Sequence, residues 1–236
     1  MIGKTTPAAI AGVPLQLERY QAKTVRVNRR RVYDINGHQY PGVTTVLSAT
    51  KPAEARQALY EWRKRIGQEA AQTISNRAAS AGTRLHKQVA AHLRQEPVDI
   101  PEDVVGFWES LRPVLDDVDT ALLVEGAVWH DAGFVGFPDA VMVYQNRVCV
   151  CDWKTALKPK KQAWIGDYCL QVAAYAQAIE QVYVNTGIEV EGALIAIALD
   201  QAPAQTFWLE RADIETHWQQ FCRRLDEYYR LRPRGS

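Results

Sequence analysis

The chain has 236 residues, of which 47% are hydrophobic and 23% are charged. These fractions are typical of globular proteins and exclude a disordered, collagen-like or coiled-coil chain. A membrane-spanning helix needs roughly 18 or more consecutive apolar residues, whereas the longest apolar run, Ala193–Leu199, has only the length of a strand. The sequence therefore predicts a globular protein that does not enter a membrane.

Charge is unevenly distributed along the chain. The 28 basic and 27 acidic residues nearly cancel. However, residues 1–95 carry 16 basic and 5 acidic groups, and residues 96–139 carry 1 and 11. One interpretation is a solvated acidic face opposite a solvated basic face. The other is a basic surface for a polyanion, beside carboxylates that hold a cation.

The N-terminal part reads as short extended segments. Residues 1–22 contain several turn-forming residues and predict a loose lead-in. Arg26–Tyr33 and His38–Tyr40 predict a hairpin whose turn is Asp34–Gly37. The β-branched run Val43–Leu47 favours another extended segment.

A basic helical segment follows at residues 52–95. Apolar residues recur there every three or four positions, with arginines and lysines between them, and a break is predicted near Gly82. A further helix is predicted from Pro101 to Leu115. The rest of the chain predicts strands at Ala121–His130, Phe134–Tyr144, Arg147–Trp153, Glu191–Leu199 and Gln205–Leu209, and helices at Tyr168–Val184 and Asp213–Leu231. This mixture indicates an α/β core.

The four cysteines do not indicate a disulfide framework or a zinc site. A chain of this length does not need disulfides to be stable. Cys149 and Cys151 lie two apart in a predicted strand, so they share one face as small apolar side chains. No second pair stands at zinc-finger spacing. A reducing compartment fits this pattern.

Three charged residues interrupt two apolar strands. Asp139 follows Gly136-Phe-Pro, and Asp152 and Lys154 lie on one face of the next strand, about 6.6–6.8 Å apart along it. Charges in core-like strands are costly unless they are paired or metal-bound. Two carboxylates that bind a divalent cation beside a lysine would support phosphodiester hydrolysis. The alternative is a simple Asp–Lys ion pair.

Two helical motifs add to this candidate site. His86 follows Gly82 by one turn and is either a third metal ligand or a structural histidine. Gln171 and Tyr175 lie four residues apart on one helix face. They would contact a phosphate or orient Lys154, unless they are simply the edge of an amphipathic helix.

In order and spacing, these motifs resemble the RecB-type branch of the PD-(D/E)XK nucleases. Between residues 43 and 229 the chain is similar to the mitochondrial genome maintenance exonuclease family. The similarity rests on Val43-Thr-Thr-Val-Leu47, Leu59-Tyr-Glu-Trp-Arg-Lys-Arg65, Glu125-x-Ala-Val-x-His130, Val150-x-Asp-Trp-Lys-Thr155, Lys158-Pro-Lys160 and Leu170-Gln-x-x-Ala-Tyr175.

The resemblance implies a restriction-endonuclease-like core, in which helices flank a central mixed sheet, with an N-terminal hairpin and a helical arch. It implies a Mg²⁺- or Mn²⁺-dependent exonuclease that cuts single-stranded DNA from free ends or flaps in replication, repair or recombination. By motif position, the metal ligands would be His86, Asp139 and Asp152. Lys154 would be the catalytic lysine, and Gln171, Tyr175 and Glu125 would support the site.

The resemblance also assigns the basic helices to the arch that admits the strand. Tyr60 and Trp62 would stack on bases, although the periodicity of Trp62 also fits core packing. The candidate phosphate contacts are Arg63, Lys64, Arg65 and Arg84.

Some features depart from that family. The first 22 residues lack the pattern of a mitochondrial transit peptide, which favours a cytoplasmic bacterial or phage protein. The cysteines lack the arrangement of the iron–sulfur members, so no cluster is expected. Alternatives are a catalytically silent module that binds DNA ends or flaps, and a nuclease of the recombination type that acts on duplexes.

The sequence predicts one nuclease domain over residues 23–232, within which residues 52–95 form the arch and residues 121–232 the catalytic core. Residues 233–236 are expected to be an artificial tail.

Overall fold

A mixed β-sheet with helices on both faces forms the centre of the molecule. The computed structural model describes residues 16–28 and 30–232. The strands are β1 (Lys23–Val27), β2 (Arg30–Ile35), β3 (His38–Tyr40), β4 (Val118–Val124), β5 (Val128–His130), β6 (Phe134–Gly136), β7 (Ala140–Tyr144), β8 (Arg147–Ala156), β9 (Gly192–Leu199) and β10 (Ala202–Glu210). The helices are α1 (Val43–Ala49), α2 (Ala53–Ile66), α3 (Gln68–Leu93), α4 (Val105–Asp116), α5 (Gly166–Val182) and α6 (Arg211–Leu231).

The central sheet has the strand order β10-β9-β8-β7-β4. Strands β8 and β9 are parallel and are connected through α5, whereas the other neighbouring pairs are antiparallel. Parallel neighbours need a crossover connection of this kind. The predicted α/β class and the mixed sheet flanked by helices are confirmed.

The two faces of β8 contribute to two different cores. Val148 and Val150 pack in the cluster that contains α1, α5 and α6. Cys149, Cys151 and Trp153 pack in the cluster that contains α4 and the second half of α3. This alternation confirms the predicted central strand, and the two cysteines share one face as expected.

The break in the basic helical segment lies at Gly67 and not near Gly82. Gly67 has φ 86° and ψ 148°, a backbone conformation that side chains strongly disfavour. Helix α3 runs without interruption through Gly82. A single internal glycine costs a helix only about 1 kcal/mol relative to alanine, so it does not end this one. Helices α2 and α3 are therefore two separate helices joined at Gly67.

The N-terminal predictions need two corrections. Val43–Leu47 is helical, because Val43, Val46 and Leu47 lie on one buried helix face and that burial outweighs their preference for strands. The predicted strand Arg26–Tyr33 is two antiparallel strands, β1 and β2, with Asn28 at positive φ between them. The predicted hairpin with His38–Tyr40 is present as β2–β3.

Two other predicted strands are also divided. Ala121–His130 breaks at Glu125, which has φ 52°, and Phe134–Tyr144 breaks ahead of Asp139. The outer parts, β5 and β6, pair with each other in a separate two-stranded sheet. These breaks place Glu125 and Asp139 between strands instead of enclosing them in strand interiors.

Residues 16–22 are held against the body of the protein. Leu17 is buried and its N–H donates to the carbonyl of Leu122, and the Tyr20 ring packs edge-on against Trp129. Residues 1–15 of the predicted lead-in and the predicted tail at 233–236 lie outside the described residues. Among the residues that the structure describes, no helix combines the length and apolar character needed to cross a membrane.

Candidate active site

The register between β7 and β8 brings Asp139 beside Asp152. Ala140 pairs with Cys151, so Asp139, one residue before β7, lies next to Asp152 and Trp153. The Trp153 N–H donates to Asp139 Oδ2 at 2.8 Å. Beyond Cys151, β8 remains paired with β9 but no longer with β7. The site therefore forms in a notch where β8 extends beyond the end of β7.

Asp152 is almost completely buried, with 2% of its surface exposed. Its Oδ2 forms an ion pair with Lys154 Nζ, but the geometry is not that of a directed hydrogen bond, and Oδ2 accepts none from the described residues. Its Oδ1 accepts a hydrogen bond from Gln171 Nε2 at 2.8 Å. One oxygen is thus fixed, and the other has unused capacity as an acceptor or metal ligand.

Helix α5 supplies the support for Asp152. Gln171 Nε2 also donates to the Tyr175 hydroxyl oxygen at 3.0 Å, and both side chains are buried. A Cβ added at Gly136 would lie 2.6 Å from the Tyr175 ring. Glycine at this motif position therefore lets β6 approach Tyr175 closely, which fixes the position of the Gln171–Asp152 hydrogen bond.

His86 from α3 reaches the other carboxylate. Its Nδ1 lies 3.0 Å from Asp139 Oδ1. Burial opposes protonation of His86, but the hydrogen bond and charge of Asp139 outweigh it and raise the histidine pKa. Nδ1 is therefore the ring nitrogen that faces Asp139, and a cation held by both residues would take the place of this hydrogen bond.

Electrostatics make Lys154 a cation. Burial lowers the pKa of Lys154, but the negative charges of Asp152 and Asp139 reverse this effect and leave its pKa raised. Burial raises the pKa of Asp152 although Lys154 opposes the shift. A charged ammonium donates hydrogen bonds and stabilises negative charge. This arrangement therefore suits Lys154 to charge stabilisation and not to the role of a base.

Tyr168 is a site residue that the sequence reasoning missed. Lys154 Nζ lies over its ring, 5.2 Å from the ring centre, at a distance typical of a cation–π interaction. Tyr168, Gln171 and Tyr175 follow the spacing i, i+3, i+7, which places them on one face of α5. Extending the Gln171–Tyr175 motif one turn toward the N-terminus would have found it.

The proposed metal ligands lie on adjoining elements but do not form one preassembled cluster. Within residues 16–28 and 30–232, no group of three or more His, Cys, Asp or Glu side chains is arranged to hold a metal ion. The pair His86–Asp139 is in direct contact, while Asp152 contacts Lys154 and Gln171. The donor set still fits a hard divalent cation, which prefers carboxylate oxygens such as Asp152 Oδ2.

An open cavity of about 540 Å³ lies beside these residues, and His86, Lys154 and Glu125 line it. Glu125 is exposed and pairs with Arg94, with 3.0 Å between Glu125 Oε2 and Arg94 Nη2. The structure therefore places Glu125 at the cavity wall, where it holds Arg94, rather than in the interior of an apolar strand.

Helix α2, the first helix of the basic segment, has no buried residue. Tyr60 is 61% exposed, Arg63, Lys64 and Arg65 are exposed, and Trp62 is half-buried. Core packing of Trp62, the alternative suggested by its periodicity, is therefore wrong. Arg84 differs from the other candidates because it pairs with Asp103 through two guanidinium nitrogens.

Comparison with known proteins gives two kinds of relative. Mitochondrial genome maintenance exonuclease 1 from Xenopus tropicalis is 32% identical over 199 residues, and the human protein of that name is 30% identical over 200. Each alignment covers 80% of this chain, but only 57% and 58% of the relative.

The crystal structure of LHK-Exo in complex with dAMP aligns with a TM-score of 0.34 and 18% identity, over 81% of this chain and 91% of that one. A likeness this weak carries no conclusion. The family model of the PD-(D/E)XK nuclease superfamily, by contrast, matches residues 30–232. Because that match covers most of the chain, including every residue of the site above, the chain belongs to the PD-(D/E)XK nuclease superfamily.

Proposed function

We propose that this protein is a divalent-metal-dependent exonuclease that hydrolyses single-stranded DNA from free ends or flaps. The observation that carries the proposal is the convergence of Asp139, Asp152 and Lys154 at the notch where β8 extends beyond the end of β7. Nucleases of this superfamily generally use divalent metals, and these are the residue types that such chemistry needs.

Asp139, Asp152 and the Nδ1 atom of His86, which faces Asp139, would hold the metal ion, either Mg²⁺ or Mn²⁺. When bound, it would polarise the phosphoryl group and lower the pKa of a coordinated water. Asp152 Oδ2 suits this role because it is buried and accepts no directed hydrogen bond from the described residues. Gln171 holds Oδ1 of the same carboxylate and thereby sets the direction in which Oδ2 points.

Lys154 would stabilise the negative charge that develops on the phosphate in the transition state. Its raised pKa keeps it charged, and its side chain is only 21% exposed, so water screens that charge weakly. Tyr168 positions the ammonium through its ring face.

The preference for a single strand rests on helix α2. The side chains of α2 are available to a ligand because none is buried, and the helix combines an exposed tyrosine with the basic run Arg63–Arg65. Aromatic stacking on bases together with phosphate contacts is how proteins commonly bind unpaired strands. The vertebrate relatives are named exonucleases, which agrees with this proposal.

A degradation assay tests the proposal. Linear single strands, circular single strands and blunt duplexes, each internally labelled, are incubated with the protein in Mg²⁺, Mn²⁺ or EDTA. We expect degradation of the linear single strand alone, and none in EDTA. Digestion of circles at the same rate would indicate an endonuclease, and preference for the duplex would indicate a nuclease of the recombination type.

A catalytically silent binding module is distinguished by the same protein preparations. If the wild type binds strands in EDTA with a steep salt dependence but degrades none of them in either metal, the catalytic proposal is wrong and the binding module is correct.

A further inference from the structure

A second cavity, of about 640 Å³, lies where β2, α1 and the end of α6 meet. It shares no lining residue with the cavity beside Lys154. Its polar lining consists mainly of guanidinium and hydroxyl groups, contributed by Arg30, Arg31, Arg232, Thr44, Thr45 and Ser48. None of its lining residues is acidic, so its side chains can compensate a negative charge but not a positive one.

Within residues 16–28 and 30–232, no ion pair neutralises the three guanidinium groups. No ion pair among the described residues involves Arg30, Arg31 or Arg232. The Nη1 atom of Arg232 is buried and has no hydrogen-bond partner in that part of the chain. Like charges in one cavity repel, and a buried unsatisfied donor costs free energy. An anion in the cavity would remove both penalties.

Neighbouring tyrosines position two of these arginines without cancelling their charge. The guanidinium carbon of Arg31 lies 5.7 Å from the ring centre of Tyr33, and that of Arg232 lies 5.1 Å from the ring centre of Tyr228. Cation–π contacts of this kind hold the cations in place. The arginines therefore have less side-chain entropy to lose when an anion binds.

Helix α1 supplies the hydroxyl groups. Its apolar residues Val43, Val46 and Leu47 are buried in the core, which leaves Thr44, Thr45 and Ser48 on the side that faces the cavity. A hydroxyl can donate to a phosphate oxygen, and an arginine can donate two parallel hydrogen bonds to the same group.

We propose that this cavity binds a phosphodiester group of the single-stranded nucleic acid, at a point on the strand separate from the hydrolytic site. The two places are linked through aromatic packing, because Tyr33 lies beside Phe137 with 4.8 Å between ring centres, and Phe137 is two residues before Asp139. This inference rests on the proposed function, since it takes the ligand to be the substrate strand.

The test compares two charge-matched double variants. Arg31→Gln with Arg232→Gln removes cavity charges, whereas Arg112→Gln with Arg223→Gln removes two exposed charges elsewhere. Binding of a fluorescein-labelled 20-residue oligothymidylate is followed by fluorescence anisotropy in EDTA, where no cleavage occurs. The cavity variant should weaken binding roughly tenfold or more, and lower the salt slope by about 0.7, the value for one lost single-strand phosphate contact. The control should change neither quantity beyond twofold.

Inorganic phosphate separates a strand site from a site for a small anion. We expect phosphate to raise the Tm of the wild type and of the control, but not that of the cavity variant. If phosphate stabilises the wild type while both variants bind the oligonucleotide equally well, the cavity holds a free anion and the strand proposal is overturned. Equal behaviour of all three proteins in both assays overturns the anion site itself.

The readouts also separate this inference from the proposed nuclease function. Weakened strand binding by the cavity variant, together with a wild type that degrades no strand in any metal, would support the phosphate site and refute the nuclease. Degradation by the wild type, with no difference in strand binding between the variants, would support the nuclease and refute the phosphate site.

Discussion

Charged side chains have opposite environments in the β8–α5 region and on helix α2. In the first, each predicted catalytic charge is partly or wholly buried and contacts a named partner, as Asp152 contacts Lys154 and Gln171. In the second, Arg63, Lys64 and Arg65 are exposed, and no ion pair found within the described residues includes them.

This difference reflects what each region has to do. Groups that stabilise a transition state must be fixed in advance, and in a packed environment their charges act with little screening. Groups that follow a flexible strand must adapt to it, which long exposed side chains can do. We therefore expect changes at β8–α5 to affect turnover and changes at α2 to affect strand binding.

The largest expected effect comes from Lys154→Met. The variant keeps the length of the side chain and loses its charge, so kcat should fall by roughly 10²–10³-fold, as when one preorganised transition-state contact is removed. Binding of a single strand in EDTA should stay within threefold of wild type. Single-turnover kinetics and anisotropy measure the two quantities.

Because Lys154→Met leaves Asp152 buried without its partner, the variant is assayed well below its own Tm. Lys64→Met on α2 is the control, and it should leave single-turnover cleavage at saturating protein unchanged. Wild-type turnover in Lys154→Met would remove Lys154 from the catalytic role.

The next effect concerns α2. Replacing Arg63, Lys64 and Arg65 together by Gln should weaken single-strand binding by ten- to a hundredfold at low salt, and lower the salt slope by about 2. The Tm should change little, because these side chains are exposed and unpaired and because glutamine also favours helices. Anisotropy at several salt concentrations and calorimetry make the two measurements.

Arg84→Gln provides the contrast on helix α3. Its guanidinium already pairs with Asp103, so this variant should lose little strand affinity. If Arg84→Gln weakened binding as much as the triple replacement did, strand binding could not be assigned to the exposed run on α2.

A smaller effect is expected for Gln171→Leu. This change removes the hydrogen bonds to Asp152 and Tyr175, and supporting residues of this kind typically contribute tenfold or more to metal affinity. The Mn²⁺ concentration for half-maximal activity should rise about tenfold, with a smaller change at saturating metal.

Gln88→Leu is the matched control for Gln171→Leu. Gln88 is also a buried glutamine on a helix, but its Oε1 accepts a hydrogen bond from the Asp99 N–H, away from the site. Its replacement should lower stability and leave the Mn²⁺ requirement unchanged. If activity depended on Mn²⁺ concentration equally in the two variants, Gln171 would have only a structural role.

Which residues would lie together in the candidate site was easier to predict from the sequence than the elements around them. Alternation along β8 was sufficient to place Asp152 and Lys154 on one face, because a strand buried on both sides has a strict period of two. It could not reveal the register that sets Asp139 beside Asp152, since pairing between strands depends on where the preceding loop ends.

The features that the sequence predicted wrongly or did not reveal also depend on contacts between distant parts of the chain. Val43–Leu47 is rich in residues that favour strands, yet packing against α5 and α6 makes it helical. Such tertiary contacts override local preference. The arginine-lined cavity was equally out of reach, because Arg31 and Arg232 meet only through the complete fold.

The smallest expected effect is a change in how the stability depends on pH. His130, at the end of β5, is stacked on Phe134 and lies close to Trp218. Its Nδ1 accepts a hydrogen bond from the Ala132 N–H at 3.0 Å. Burial lowers its pKa, with Asp131 acting in the opposite direction. The folded protein therefore favours neutral His130, so this contribution to stability is complete above the unfolded-state pKa of about 6.5 and declines as the pH falls below it.

His130→Asn keeps an acceptor near the position of Nδ1 and removes the titration. Urea unfolding between pH 8 and pH 5 should show the variant losing less stability than the wild type below pH 6.5, while the triple replacement on α2 follows the wild-type curve. His86 contributes in the opposite direction because its pKa is raised, but it is common to all three proteins and cancels in the difference. If the free energy of unfolding changed with pH equally in His130→Asn and wild type, His130 would titrate identically in the folded and unfolded states. The pH dependence of the wild-type stability would then arise from other groups.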